Sequence, residues 1–138
     1  MSWGTPTHGT TRLEIQDVEG LRQAHDLAEV YADLMGRPLE VDLWDVELPL
    51  DRPLMVQFLV GHPTLSRVLV HNDGVGHYAV GDRSAGDGEE IRYARPSGTF
   101  TAEPETTITS AQARTILADF VRTGRASVRV AWAELSMD

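Results

Sequence analysis

The chain contains no cysteine. That excludes disulfides, a thiolate nucleophile and any zinc site built on cysteine ligands. Lysine is absent too, so all 12 basic residues are arginine, and neither a lysine Schiff base nor a lysine phosphate anchor is available. No apolar run approaches the roughly 20 residues that span a bilayer. The opening MSWGTPTHGTTR lacks a basic stretch followed by an apolar one, so it does not read as a signal peptide. The expectation from these absences is a cytoplasmic protein without a membrane partner. There is no HExxH pair and no GxSxG nucleophile elbow. The glycines of GVGHYAVG lead into a strand, whereas a phosphate-binding loop opens a helix.

What remains is an acidic chain of 138 residues, a length that suits one domain with its own core. Its 21 acids against 12 arginines give a net charge of −9. The excess is local. Residues 14–51 hold Glu14, Asp17, Glu19, Asp26, Glu29, Asp33, Glu40, Asp42, Asp45, Glu47 and Asp51, eleven acids, against Arg22 and Arg37 alone. The remainder of the chain is balanced, ten acids against ten arginines, so the whole net charge sits on that one stretch. Such a field repels nucleic acid and anionic membranes and attracts basic partners.

Residues 1–10 are small and polar with glycine and proline, and are expected to be disordered; residues 11–135 are expected to form a single domain. Thr11 to Ile15 suggests a short strand. Asp17 then fits a helix N-cap, with Leu21, Ala24, Leu27, Ala28, Tyr31, Leu34 and Met35 at helical spacing and Gly36 and Pro38 as the stop. LEVDLWDVEL, residues 39–48, alternates with period two: Val41 and Leu43 share one face, Glu40 and Asp42 the other. The phase slips at Leu43-Trp44, which predicts a bulge or bend. Met55 to Val60 is almost wholly apolar and predicts a central strand, and Arg67 to Val70 predicts another. Asn72-Asp73-Gly74 signals a hairpin leading into His77–Val80, and Pro96-Ser97-Gly98 a second one between Ile91–Arg95 and Thr99–Ala102. Thr109 with Gln112 fits a capping box for a second helix. Ala113, Ile116, Leu117, Phe120 and Val121 form its apolar face and Gly124 its end, before a last strand from Ser127 to Trp132. The order predicts an α+β domain, a mostly antiparallel sheet with two main helices packed on one face.

Five histidines invite a metal reading, with His62, His71 and His77 the best candidates because the last two flank a turn. A catalytic zinc needs about three such ligands converging on one point. The alternative is that they are hairpin residues held by local hydrogen bonds. No spacing singles out a catalytic residue, a metal ligand or a cofactor site, and none is assigned. Arg92, Tyr93 and Arg95 form the best basic-aromatic grouping for nucleic acid, but Glu89 and Glu90 precede it, and no direct nucleic-acid contact is expected.

The last half of the chain resembles a known family on specific residues. LVHNDGVGHYAVGD is similar to that family's central hairpin; Tyr93 stands on a strand before a turn. TFTAEPETTI feeds a helix that ends FVRTG at Phe120, Thr123 and Gly124, and a strand closes on Trp132 with Glu134 after it. In order and spacing these resemble the type 1 immunity proteins of bacterial polymorphic toxin systems, over about Arg67 to Leu135. The family often has Trp-Glu where this chain has Trp132-Ala133-Glu134. The resemblance implies a non-enzymatic antitoxin that binds a cognate toxin domain, in a one-to-one complex, often a toxin that acts on nucleic acid such as a deaminase or nuclease.

The acidity is consistent with that implication, because an acidic inhibitor complements the basic groove of a nucleic-acid-handling toxin. On this reading Asp42, Asp45, Glu47 and Asp51 are candidate partner-binding residues with Trp44 as an anchor, and Asp87, Glu89 and Glu90 are a second group. The structural alternatives are a core role for Trp44 and a solvated strand edge for the acids. Two other functions stay open at this point: a small metal-dependent enzyme using His62, His71 and His77, and an adaptor or chaperone for a secreted effector.

Overall fold

The computed structural model describes residues 1–5, 9–44, 54–72, 74–81 and 89–135. In chain order the elements are β1 (Ser2–Thr5), β2 (Gly9–Arg12), α1 (Val18–Met35), β3 (Leu39–Trp44), β4 (Leu54–Val60), β5 (Leu65–Ser66), β6 (Val68–Asn72), β7 (Val75–Val80), β8 (Ile91–Arg95), β9 (Gly98–Ala102), a 3-10 turn at Pro104–Thr106, β10 (Ile108–Thr109), α2 (Ser110–Thr123) and β11 (Ala131–Glu134).

Both helices begin and end where their capping residues dictate. Asp17 is extended and its Oδ1 accepts the Gly20 amide at 2.7 Å. At the other end Gly36 is left-handed at φ 68°; its amide donates to Asp33 O and that of Arg37 to Ala32 O, a Schellman closure. On α2, Thr109 Oγ1 accepts the Gln112 amide while Gln112 Oε1 accepts the Thr109 amide, and Gly124 closes the helix at φ 68°. Among the described residues no helix is long and apolar enough to cross a membrane.

The sheet runs β2–β1–β3–β4–β6–β7–β11, with neighbours antiparallel. The outer edge of β3 is shared: β1 pairs with it at Asp42, and β8 pairs with it in parallel at Leu39, carrying β9 as a hairpin. The apolar run of β4 does become a central strand, between β3 and β6.

Strand alternation sorts the two faces. Leu39, Val41 and Leu43 stand beside Val60, Phe58 and Val56, and these join Val68, Val70, Leu21, Ala24, Ala28, Ala32, Ala113, Ile116, Leu117 and Phe120 in one core. Both helices therefore cover the same face of a mostly antiparallel sheet, an α+β domain. A smaller cluster, Leu59, Ile91, Tyr93 and Ala102, lies on the opposite face.

Four expectations are corrected. The first ten residues are not disordered where they are described: Ser2–Thr5 and Gly9–Arg12 form a hairpin, and Trp3 is 2% exposed with its ring edge-on to Tyr31 at 5.6 Å. Burial of one indole outweighs the glycine and threonine around it; residues 6–8 lie outside the described residues. The early strand is accordingly Gly9–Arg12, not Thr11 to Ile15. The register of β3 runs unbroken through Leu43↔Val56 and Trp44↔Met55, so no bulge separates Leu43 from Trp44. The last strand starts at Ala131, not Ser127, because Ser127 makes a side-chain turn: its Oγ donates to Asp119 Oδ2 at 2.7 Å and accepts the Arg129 amide. Trp132 packs on the core, its Nε1 donating to Ser127 O at 2.9 Å.

Candidate functional site

Residues Glu40, Asp42 and Trp44 of β3 point to the face opposite the helices, next to Leu59, Gln57 and Met55 of β4. Asp42 is half-buried and its Oδ1 accepts from Gln57 Nε2 at 2.9 Å. A carboxylate only accepts, so the amide nitrogen of Gln57 must face Asp42 and its oxygen must face His71. That oxygen takes the Nε2 proton of His71 at 2.6 Å, which fixes the histidine tautomer. Burial also holds the His71 pKa below its ordinary value. Trp44 is half-buried, with the Arg12 guanidinium 5.5 Å from its ring centre.

Glu40 shares that face but is not open to solvent. It is 4% exposed, with Arg67 and Arg95 of β8 packed against its carboxylate. Arg67 Nη2 donates to Glu40 Oε2 at 3.2 Å and to the Tyr93 hydroxyl at 2.7 Å, and the guanidinium lies 5.0 Å from the Tyr93 ring centre. Arg95 Nε is 3.2 Å from Glu40 Oε1 without hydrogen-bonding geometry. Burial raises the Glu40 pKa, and the two arginines oppose that rise. This network is structural in its geometry. It neutralises charge on the far face instead of displaying it.

The described members of the two groups of sequence-predicted contact residues do not meet. β8 runs parallel to β3 with Ala94 beside Leu39. Glu89 and Glu90 therefore lie off the N-terminal end of that pair, while Asp42 and Trp44 lie at its C-terminal end. Both glutamates are exposed, and Glu89 accepts from His62 Nε2. Asp45, Glu47, Asp51 and Asp87 lie outside the described residues.

The histidines do not converge either. His62 Nδ1 accepts the amides of Thr64 at 3.1 Å and Leu65 at 2.9 Å, tying the loop after β4. His71 lies across from Gly76, and His77 across from Val70 and Glu134, so the two do not face each other. Among the described residues no group of three or more His, Asp or Glu side chains is placed to hold a metal ion.

A surface absent from the sequence expectations lies on the outer side of α1. Leu27 and Leu34, which recur at helical spacing with the core residues, are 40% and 80% exposed, and Val30 between them is 53% exposed. The core positions are instead Leu21, Ala24, His25, Ala28 and Ala32. Glu19, Asp26 and Asp33 recur every seven residues along one border of this apolar stripe, with Glu29 beyond them, and all are exposed. Arg22 pairs with Glu19 and with Asp26, and Arg114 of α2 reaches Asp26 at 3.0 Å and Glu29 at 2.9 Å. The signal available in the sequence was the heptad spacing of Leu27 and Leu34 with Val30 between, a second apolar stripe beside the core one.

The residues that carry the family resemblance hold the fold. Tyr93 and Phe120 are buried and Gly124 is the helix cap. No protein-family model matches the chain, and no curated protein sequence matches it.

Proposed function

We propose that the chain is an immunity protein that binds and neutralises a cognate toxin domain, one with a basic, nucleic-acid-handling surface, in a one-to-one complex in the cytoplasm. The observation that carries this reading is where the negative charge goes. The described part of the acidic stretch, residues 14–44, contains α1 and β3. Of its described acids, Glu40 is buried against arginines, whereas Glu19, Asp26, Glu29 and Asp33 stand exposed on one helix beside exposed leucine and valine. Acidic groups around apolar side chains suit recognition of a basic protein surface, steering encounter while the apolar groups hold the complex. The resemblance of residues 67–135 to type 1 immunity proteins points the same way, and the deaminase or nuclease class of toxin comes from that resemblance.

Co-expression with the toxin domain encoded beside its gene tests the proposal. Host survival together with co-purification of the two chains is the expected result. Binding without protection would mark a carrier or chaperone instead, and neither binding nor protection from a folded chain would overturn the reading.

A further inference from the structure

Leu27, Val30 and Leu34 fall within about 60° of one another around the α1 axis and extend along about 10 Å of it. They are three of the seven large apolar side chains that stand exposed among the described residues. A lone exposed leucine is ordinary; three in register on one helix form a patch. The helix has already met its need for a core with Leu21, Ala24, Ala28 and Ala32, so the stripe stabilises nothing within the described fold.

The border of the stripe decides what can cover it. Glu19, Asp26, Glu29 and Asp33 against Arg22 and Arg114 leave two negative charges uncompensated. Nucleic acid and an anionic membrane surface are repelled by that border. A second copy of the chain packed stripe to stripe would bring two such net-negative borders together, which costs free energy. A protein surface with an apolar ridge beside arginine or lysine side chains satisfies both the stripe and its border.

We propose that the outer stripe of α1, Leu27, Val30 and Leu34 with the carboxylates of Glu19, Asp26 and Asp33, is where the toxin domain docks. The inference rests on the inhibitor reading above, and it moves the interface away from Asp42 and Trp44. Leu34, the most exposed of the three, is the anchor that enters the partner. Asp33, which no arginine of the described residues bridges in the way Arg22 and Arg114 bridge Asp26, supplies charge pairing at the same end.

The test is titration of the purified toxin domain with the whole chain and three variants: Val30→Ser/Leu34→Ser, Asp33→Arg, and Val128→Ser. The last removes an apolar side chain that is 97% exposed elsewhere on the molecule. The expected result is a loss of affinity of about 30-fold or more for the double variant. Asp33→Arg lowers the association rate, and Val128→Ser binds within about twofold of the parent. Thermal unfolding of all variants stays close to the parent, as expected for exposed positions. Parent-like affinity of the double variant overturns the docking surface and leaves the inhibitor reading standing. A parent chain that binds no toxin overturns both. Sedimentation showing a dimer of the free chain that the double variant loses assigns the stripe to self-association and overturns the inference.

Discussion

At the scale of single residues, two buried ionisable groups set how the fold responds to change. Glu40 depends on Arg67. Replacing Arg67 with Met leaves a carboxylate that is 4% exposed with Arg95 alone beside it, and should cost about 3 kcal/mol in urea unfolding. Replacing both, as Glu40→Leu/Arg67→Met, should recover much of that loss, since the pair's desolvation is removed with it. A double variant as unstable as the single one would contradict the network described above. Alternation placed Glu40 on the correct face, but parity along a strand does not say whether a second layer covers that face. What covers it is the side chains of Arg67 and Arg95, with Tyr93 beside Arg67, all distant in sequence, and nothing local to Glu40 announces them.

His25 carries a pH dependence. It sits in the core against Phe58, with ring centres 5.3 Å apart, and its pKa is lowered from 6.5 to about 4, chiefly by burial and also by Arg114, with Asp26 opposing. The unfolded chain thus binds a proton that the folded chain refuses between pH 6.5 and 4. Stability from this group is complete above pH 6.5 and is lost as pH falls toward 4, by about 3 kcal/mol in all. Glu40 works in the opposite sense, because its raised pKa lets the folded state take up a proton first. The difference between the parent and His25→Leu, followed by urea midpoints from pH 7 to 4, isolates the histidine. The parent should lose stability relative to the variant on acidification, and a constant difference would refute the assignment.

At the scale of elements, the helix ends were the most legible features, because their causes are local. Asp17, Gly36, Thr109, Gln112 and Gly124 each act within four residues. Thr109→Ala should lower stability by about 1 kcal/mol through loss of the N-cap bond. Gly61, after β4, is a less visible constraint: at φ 101° it lies so close to α1 that a Cβ would come within 2.5 Å of Ala32 Cβ. Gly61→Ala should therefore destabilise by more than the cap variant, readable as a lower urea midpoint at equal slope. Which side of α1 faces in was only partly legible. Leu27 and Leu34 share helical spacing with the core residues, and only the packing of Ala24, His25, Ala28 and Ala32 against the sheet shows that the axis is turned away from them. The N-terminal hairpin was illegible for a related reason, since its burial depends on Tyr31 and on β3, not on its own residues.

At the scale of the whole molecule, the sequence showed that the negative charge is segregated, and the fold shows on which elements the described part of it stands. The far face of the sheet, where Asp42 and Trp44 lie, is occupied by paired groups: Gln57 with His71, Arg67 with Glu40. The outer side of α1 keeps its charge and its apolar side chains in solvent. That asymmetry is the basis of the proposed inhibitor role, and it makes a quantitative prediction. Encounter with a basic toxin domain should be steered by charge, so its rate should fall steeply with salt, whereas a contact made mainly by apolar surface would be indifferent to it. The most direct measurement is the association rate of the purified toxin domain with this chain at 50 and 500 mM salt. The account predicts a complex at both concentrations and a rate at least about tenfold lower at the higher one. No complex at the lower salt, or a rate unchanged between the two, would contradict it.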